Sequence, residues 1–131
     1  MTNTSKAKPK NLGEVEQKVM DYVWSHGPVS SEACREALAE ESPMKESTIR
    51  TVLRRLELKG YVKHEVTGRT FMYRAAEPAQ NVAARAVKHI IDRFCGGSVE
   101  QLMIGMVDNA VVDPKELDRL ARKIAARKEG K

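Results

Sequence analysis

The residues best suited to recognise a ligand lie at positions 47–55, where small hydroxyl side chains alternate with arginines. Hydroxyls donate and accept hydrogen bonds, and short side chains let a helix backbone approach the edges of DNA bases. Arginine can bind guanine with two hydrogen bonds or hold a phosphate. In a helix, the side opposite the apolar stripe would carry Ser47, Thr51, Arg54 and Leu58. This composition is typical of a helix that lies in the major groove.

The contacts can be divided by position, because the N-terminal residues of a recognition helix usually reach the bases. The predicted base contacts are Ser47, Thr48 and Thr51. We expect Arg55 to contact a base or a phosphate, and Arg50 and Arg54 to hold the DNA backbone. A solvated polar face is the alternative interpretation, since surface helices commonly carry arginine and threonine.

The next segment is predicted to form a β-hairpin. Two β-prone runs, residues 61–66 and 70–74, bracket the turn Thr67-Gly68-Arg69. Lys63 and Arg69 add positive charge, and an arginine at a hairpin tip can bind phosphate or enter the minor groove. An ordinary charged hairpin edge is the alternative, because lysines also protect strand edges against aggregation.

Three helices must position these residues. Apolar spacing predicts a first helix over residues 12–25. Ser30 is a suitable N-cap for a second helix that ends near Glu40, with Ala33, Ala37 and Leu38 facing inward. The third helix covers residues 46–59, and Gly60 follows it at the position where a left-handed C-cap is expected. Three helices followed by a hairpin is the order of a winged helix-turn-helix.

After a junction at residues 75–78, the chain is predicted to form three more helices: 79–94, 99–107 and a last one capped by Asp113. Fewer than about 70 residues rarely bury a sufficient core alone, so we expect two copies to interlock here. The predicted dimer contacts are Val87, Ile90, Ile91, Phe94, Leu102, Met106, Leu117, Leu120 and Ile124. The expected organisation is a flexible tail (1–11), a DNA-binding winged helix-turn-helix (12–76) and a helical dimerisation domain (77–131). The fold class is therefore mainly α with a small β-hairpin.

Charge supports a polyanionic partner. Residues 14–41 carry a net charge of −5, whereas residues 42–76 hold eight basic and three acidic residues, a net charge of +5. A basic segment beside an acidic one suggests that one surface faces nucleic acid.

Catalysis is not expected. His26, His64 and His89 fall in different predicted elements, with no cysteine or carboxylate at metal-ligand spacing. No phosphate-binding glycine loop is present either. Cys34 and Cys95 fit no metal or redox motif and are expected to be reduced thiols. We predict no enzyme activity, cofactor or metal.

Location follows from the same sequence. The chain has no apolar run of about 18 residues and no secretory signal, so a cytoplasmic protein is expected.

Several motifs together resemble the penicillinase-repressor family, which includes BlaI, MecI and CopY. Residues 48–56, Thr-Ile-Arg-Thr-Val-Leu-Arg-Arg-Leu, followed by Lys59-Gly60, are similar to the family's recognition helix. Gly68-Arg69 with Phe71 and Tyr73, residues 12–16 with Trp24, and the pair Gly96-Gly97 also match. The resemblance implies a winged helix-turn-helix joined to a helical dimerisation domain, and repression by occupying a promoter palindrome. It places Ser47, Thr48, Thr51 and Arg55 at the base-reading positions.

The chain departs from this family at two places. Members controlled by a membrane sensor-protease are cut at an Asn-Phe bond, where this chain has Gly105 and Met106. Copper-responsive members carry a C-terminal cysteine cluster that is absent here. The resemblance therefore does not carry over either signal, and a sensor-protease partner stays open.

The resulting hypothesis is a sequence-specific repressor that binds a double-stranded palindromic operator as a homodimer. The alternative is a winged-helix module that binds protein or non-specific nucleic acid, because this fold serves several functions.

Overall fold

The computed structural model describes residues 11–130, so nearly all of the predicted flexible tail, residues 1–10, lies outside the described part of the chain. The elements within it are α1 (Glu14–His26), α2 (Ser31–Ala37), α3 (Glu46–Leu58), β1 (Val62–Thr67), β2 (Thr70–Ala75), α4 (Ala79–Phe94), α5 (Val99–Asp108) and α6 (Pro114–Gly130). The predicted fold class, mainly α with one hairpin, is confirmed. Two compact units meet within α4, one ending at Ala86 and the other beginning at Val87.

The N-terminal unit has a continuous apolar core built from α1, α2, α3 and the base of the hairpin. The buried stripe of α3 is Ile49, Val52, Leu53 and Leu56. The remaining core residues are Val19, Met20, Val23, Val29, Cys34, Leu38, Tyr61, Val62 and Tyr73. Because burial of apolar area is the main favourable term in folding, this core holds α3 rigidly with one side outward.

Helix α1 begins at Glu14 rather than at Leu12. The N–H of Gly13, the N-cap residue, donates to Oε1 of Glu16 at 2.8 Å. This bond satisfies one of the donors that a helix start leaves unpaired. At the other end, Gly27 adopts a φ of 74° and terminates the helix.

Helix α2 is shorter than the sequence predicted. It ends at Ala37, and residues beyond it turn instead of continuing towards Glu40. The turn is closed by the N–H of Ser42, which donates to the carbonyl of Leu38 at 2.8 Å. Leu38 is buried, as predicted, whereas Ala37, also predicted to face inward, is exposed. The inward assignment of Ala37 is wrong because the buried side of α2 is the one that carries Cys34, four residues before Leu38.

The hairpin pairs β1 and β2 in antiparallel register from Val62 opposite Ala75 to Thr67 opposite Thr70. Gly68 has a φ of 65° in the two-residue turn, a conformation that glycine adopts without strain. Strand β2 is also tied to the helical layer through Val29, whose N–H and C=O bond the backbone of Tyr73 at 2.8 and 2.7 Å. We call this hairpin the wing.

The C-terminal unit consists of the second half of α4 with α5 and α6. Helix α4 ends before Gly96 and Gly97, which have φ values of 58° and 84°. Ser98 then caps α5 by accepting from the N–H of Gln101 at 3.1 Å. In the part of this unit that the structure describes, Ile91 is the one buried side chain. These helices therefore lack a core comparable to that of the N-terminal unit.

Candidate nucleic-acid interface

Helix α3 exposes a polar side directly opposite its buried stripe. All of the residues predicted there to contact DNA are exposed. They are Ser47, Thr48, Arg50, Thr51, Arg54 and Arg55, which we call the reading face. Because the stripe is locked in the core, this face cannot rotate away from solvent.

The threonine at the centre of the reading face is partly committed to its own helix. The hydroxyl of Thr51 donates to the carbonyl of Ser47 at 3.0 Å. This bond uses the hydroxyl hydrogen and leaves the oxygen lone pairs and the methyl group for an external partner. Thr51 is thus equipped to accept a hydrogen bond from a base or to contact a thymine methyl group.

The N-terminus of α3 is fixed by Glu46. Its carboxylate accepts hydrogen bonds from the Ser31 hydroxyl at 2.5 Å, from Arg35 Nε at 3.0 Å and from Arg50 Nε at 3.2 Å. The Ser31 hydrogen bond and the two arginines hold the pKa of Glu46 below its usual value. Two consequences follow: α2 and α3 are joined, and Arg50 is held close to the exposed side of α3.

The C-terminal half of α3 is fixed by a second carboxylate, the buried Glu16 of α1. Oε1 of Glu16 accepts from Lys59 Nζ at 2.7 Å, and Oε2 lies 3.9 Å from a guanidinium nitrogen of Arg55. Burial alone would raise the pKa of Glu16, but the Lys59 and Gly13 hydrogen bonds and the nearby cations lower it. The buried carboxylate of Glu16 therefore helps to orient the guanidinium group of Arg55.

The connection from α3 to the wing is a Schellman motif. The N–H of Tyr61 donates to the carbonyl of Leu56 at 2.9 Å, and the N–H of Gly60 donates to Glu57 at 3.0 Å. Gly60 has a φ of 89°, as the left-handed position of this motif requires. The turn leads the chain directly from the end of α3 into β1.

The wing carries its two predicted DNA contacts in exposed positions: Lys63 on β1 and Arg69 in the turn. A third cation, Arg74, faces Glu65 across 3.9 Å. In the described chain, Arg69 forms no ion pair with a carboxylate, and the same holds for Arg54 of α3. These two guanidinium groups are available for an external anion.

A cleft of about 530 Å³ separates α3 from the wing. Its walls include Arg50 and Arg54 on the helix side and Arg69 and Phe71 on the wing side. The structure thus brings three of the predicted cationic contacts to one concave surface. The remaining predicted contacts, Ser47, Thr48, Thr51, Arg55 and Lys63, do not line it.

Sequence reasoning missed a cluster of side chains that lines this cleft. His64 of β1 bonds Glu57 of α3 and stacks on Phe71 with ring centroids 4.1 Å apart. The only signal in the sequence was the alternation that places His64 and Phe71 on one side of the hairpin.

The comparison with protein families matches this architecture. A family model described as "Penicillinase repressor" covers residues 12–126. The chain belongs to the penicillinase-repressor family. The resemblance drawn from the recognition helix and the wing is confirmed.

Individual proteins are also similar to this chain in sequence or in structure. An uncharacterised 16.5 kDa protein from the ptsI 3′ region of Latilactobacillus sakei is 30% identical over 90% of this chain and 83% of its own length. The penicillinase repressor of Bacillus licheniformis is 24% identical over 83% of this chain and 85% of its own. The crystal structure of a transcriptional regulator from Thermotoga maritima covers 92% of this chain and 79% of its own at 14% identity, with a TM-score of 0.50. That likeness concerns the fold.

The C-terminal unit of this penicillinase-repressor family member exposes an unusual amount of apolar surface. Eight large apolar side chains from Val87 onward are exposed, including Phe94 at 74% and Val111 at 67%. Among the predicted dimer contacts, Val87, Ile90, Phe94, Leu120 and Ile124 are exposed, whereas Leu102, Met106 and Leu117 are half-buried. Ile91 is already buried within the single chain at 8% exposure.

Other kinds of site find little support in the described residues. Among residues 11–130, no three His, Cys, Asp or Glu side chains are arranged to hold a metal ion. No helix there is long and apolar enough to cross a membrane. Both cysteines are free, and burial, with a smaller effect of the Glu46 charge, raises the pKa of the Cys34 thiol to about 11. Cys34 is thus a packing residue with poor nucleophilicity.

Proposed function

We propose that this chain is a transcriptional repressor that binds a double-stranded palindromic operator as a homodimer. In this proposal residues 12–76 bind DNA, and residues 77–131 join the two copies. The protein would act in the cytoplasm, without enzyme activity and without a cofactor.

The observation that carries the proposal is the geometry of α3. Its apolar stripe is locked in the core, and its opposite side offers hydroxyls and guanidinium groups to solvent. A helix of this kind fits the major groove, which displays a distinct pattern of donors and acceptors for each base pair. Membership of a family named for repression agrees with this reading.

The proposed role of each interface residue follows from the length of its side chain, its position and its contacts within the fold. Ser47, Thr48 and Thr51 are short and lie in the first half of α3, so they would read bases. Arg55, oriented by Glu16, would contact a base or the adjacent phosphate. Arg50, Arg54, Lys63 and Arg69 would hold phosphates on both sides of the groove and so set the register of the protein on DNA.

The dimer would form through the exposed apolar side chains of the C-terminal unit. Val87, Ile90 and Phe94 recur at helical spacing along α4 and stay exposed in the single chain. A patch of this kind marks an interface in a soluble protein, and a second copy supplies a matching apolar surface by symmetry. Two recognition helices would then enter major grooves about 10 base pairs apart or a multiple of that distance.

The release of DNA is proposed to occur without cutting at the Gly105–Met106 bond. This bond lies inside α5, and a protease would have to unwind the helix to reach it. The inducing signal is accordingly expected to act on DNA affinity or on the dimer.

The deciding experiment is the selection of bound duplexes from a random pool with purified protein, followed by affinity measurements across ionic strength. We expect an enriched inverted repeat and a log–log salt slope of about −0.9 for each phosphate neutralised. Salt-sensitive binding without an enriched sequence would contradict specific repression and favour general nucleic-acid binding. The absence of any duplex binding would favour a protein-interaction module instead.

A further inference from the structure

Outside the apolar core that they share, α3 and the wing are joined by a hydrogen-bonded pair of side chains. Nδ1 of His64 lies 2.8 and 2.9 Å from the two carboxylate oxygens of Glu57. A carboxylate only accepts, so the imidazole N–H is the donor. Both side chains are about two-thirds buried, with exposed fractions of 28% and 35%.

The same histidine also organises the wing itself. Its ring stacks on Phe71 at 4.1 Å with an interplanar angle of 10°, and it lies 5.6 Å from the ring of Tyr73. Register places His64 opposite Tyr73 and Phe71 opposite Val66 on the same side of the hairpin. His64 therefore joins both strands of the wing to α3.

The two strands are fixed in different ways. Strand β2 is held by the two backbone bonds between Tyr73 and Val29. Strand β1 enters the core at Val62 and from there to its end is exposed except at His64. Glu57 is thus the point at which the outer half of β1 is tied to the recognition helix.

We propose that Glu57 and His64 are positioning residues that fix the angle of the wing against α3, so that Arg54 and Arg69 bind DNA phosphates as one unit. This inference rests on the proposed function. Both arginines line the same cleft as Glu57 and His64. Without the pair, the wing pivots on its Val29 anchor, and Arg69 is no longer presented at a fixed distance from α3.

The test is a double-mutant cycle, because residues that act together give non-additive effects. In the wild-type background, Arg69→Ala should weaken binding to the selected duplex about tenfold, as expected for one charge-assisted hydrogen bond. In the His64→Phe background, which keeps an aromatic ring on Phe71 but removes the N–H donor, the same change should cost less than about threefold. The Glu57→Ala background removes the acceptor of the same hydrogen bond, so it should reduce the effect of Arg69→Ala to the same extent.

The matched control is Glu65→Ala. Glu65 is an acid of the same wing, three-quarters exposed and on the opposite side of the hairpin from His64. Glu65→Ala removes the same charge as Glu57→Ala but leaves the Glu57–His64 pair in place. Arg69→Ala should therefore keep its tenfold effect in the Glu65→Ala background. Equal effects of Arg69→Ala in all four backgrounds would overturn the proposal, and so would a reduced effect of Arg69→Ala in the Glu65→Ala background.

A second measurement separates this inference from the proposed function. Hydrogen exchange of the backbone amides of Val66 and Phe71 in the free protein should speed up in His64→Phe and Glu57→Ala but not in Glu65→Ala. Unchanged exchange in all three would show that the pair does not fix the wing, whether or not DNA binds. If the wild-type protein binds no duplex, yet His64→Phe and Glu57→Ala show the faster exchange, the repressor function is refuted and the positioning role remains supported.

Discussion

The two units of this chain solve the problem of burial in opposite ways. In its described residues, the N-terminal unit collects thirteen buried apolar residues into one core and leaves three large apolar side chains, Leu58, Val66 and Phe71, exposed. In the described part of the C-terminal unit, one side chain is buried and eight large apolar side chains are exposed. Similar helical periodicity therefore gives a buried apolar core in one region and an exposed apolar surface in the other.

This difference shows that an apolar stripe in a sequence does not specify what covers it. In α3 the stripe is covered by α1, α2 and the wing of the same chain. In α4 the side chains of Ile90 and Phe94 stay 45% and 74% exposed. We infer that the first region buries its apolar side chains within one chain, whereas the second needs a partner to cover them.

The largest expected effect is at the C-terminal unit. Ile90→Asp places a charge in the proposed dimer surface, so dimerisation should be lost, and operator affinity should fall by at least about a hundredfold because the second half-site is no longer linked. Analytical ultracentrifugation and a binding titration would measure both. Lys88→Asp is the control, since Lys88 is 74% exposed on the same helix. An Ile90→Asp protein that remains dimeric would contradict the interface.

The next effect concerns the core of the N-terminal unit. Leu53→Ala removes a fully buried side chain, and the free energy of unfolding should fall by about 2–5 kcal/mol. Leu58→Ala, in the same helix but 78% exposed, should change it by less than about 0.5 kcal/mol. Urea denaturation measures both values. Similar losses for the two leucines would mean that Leu58 is covered, and the contrast between the units would weaken.

A smaller effect is expected at the reading face. Thr51→Ala should weaken binding to the selected operator by about 1–3 kcal/mol and relax the preference at one base step. Binding to unrelated duplexes should hardly change, because Thr51 carries no charge. Selection from a random pool with the variant measures this directly, and an unaltered sequence preference would show that the base-reading side of α3 is misplaced.

The smallest effect is the acid sensitivity of the α2–α3 junction. Since folding lowers the pKa of Glu46, its contribution is present above the ordinary carboxyl pKa and is lost as pH falls through the lowered value. Glu46→Gln should therefore cost about 1 kcal/mol at neutral pH, as for a partly exposed ion pair. The difference from wild type should vanish in acid. Denaturation between pH 7 and pH 3 tests this, and a constant difference would exclude the ionised form as the cause.

Much of the fold was accessible from the sequence because its signals are local. The apolar period of α3, the glycine at position 60 and the turn at Gly68 each depend on a few neighbouring residues, and each fixes an element. The predicted end of α2 was wrong because the chain turns after Ala37, and beyond the turn the Ser42 hydroxyl accepts a hydrogen bond from Lys18 of α1 at 3.1 Å. That choice depends on packing against distant residues, which no local pattern contains.

The candidate site divides in the same manner. The periodicity of α3 predicts which of its residues are exposed, and the structure agrees with that prediction. The residues that orient them could not be predicted in this way, because Glu16 contacts Lys59 and Arg55 across 43 and 39 positions of the chain. An acidic residue in an amphipathic helix gives no sign that its carboxylate will be buried against two cations.

The single tryptophan makes the contrast between the units directly observable. Trp24 belongs to α1 of the N-terminal unit, where it is half-buried and its Nε1–H donates to the carbonyl of Glu77 at 3.1 Å. Its fluorescence therefore reports the loosening of that unit alone, whereas far-ultraviolet circular dichroism records helices in both. A single sample followed by both signals can thus show whether the two units melt together, and diluting it would reveal which transition depends on the second copy.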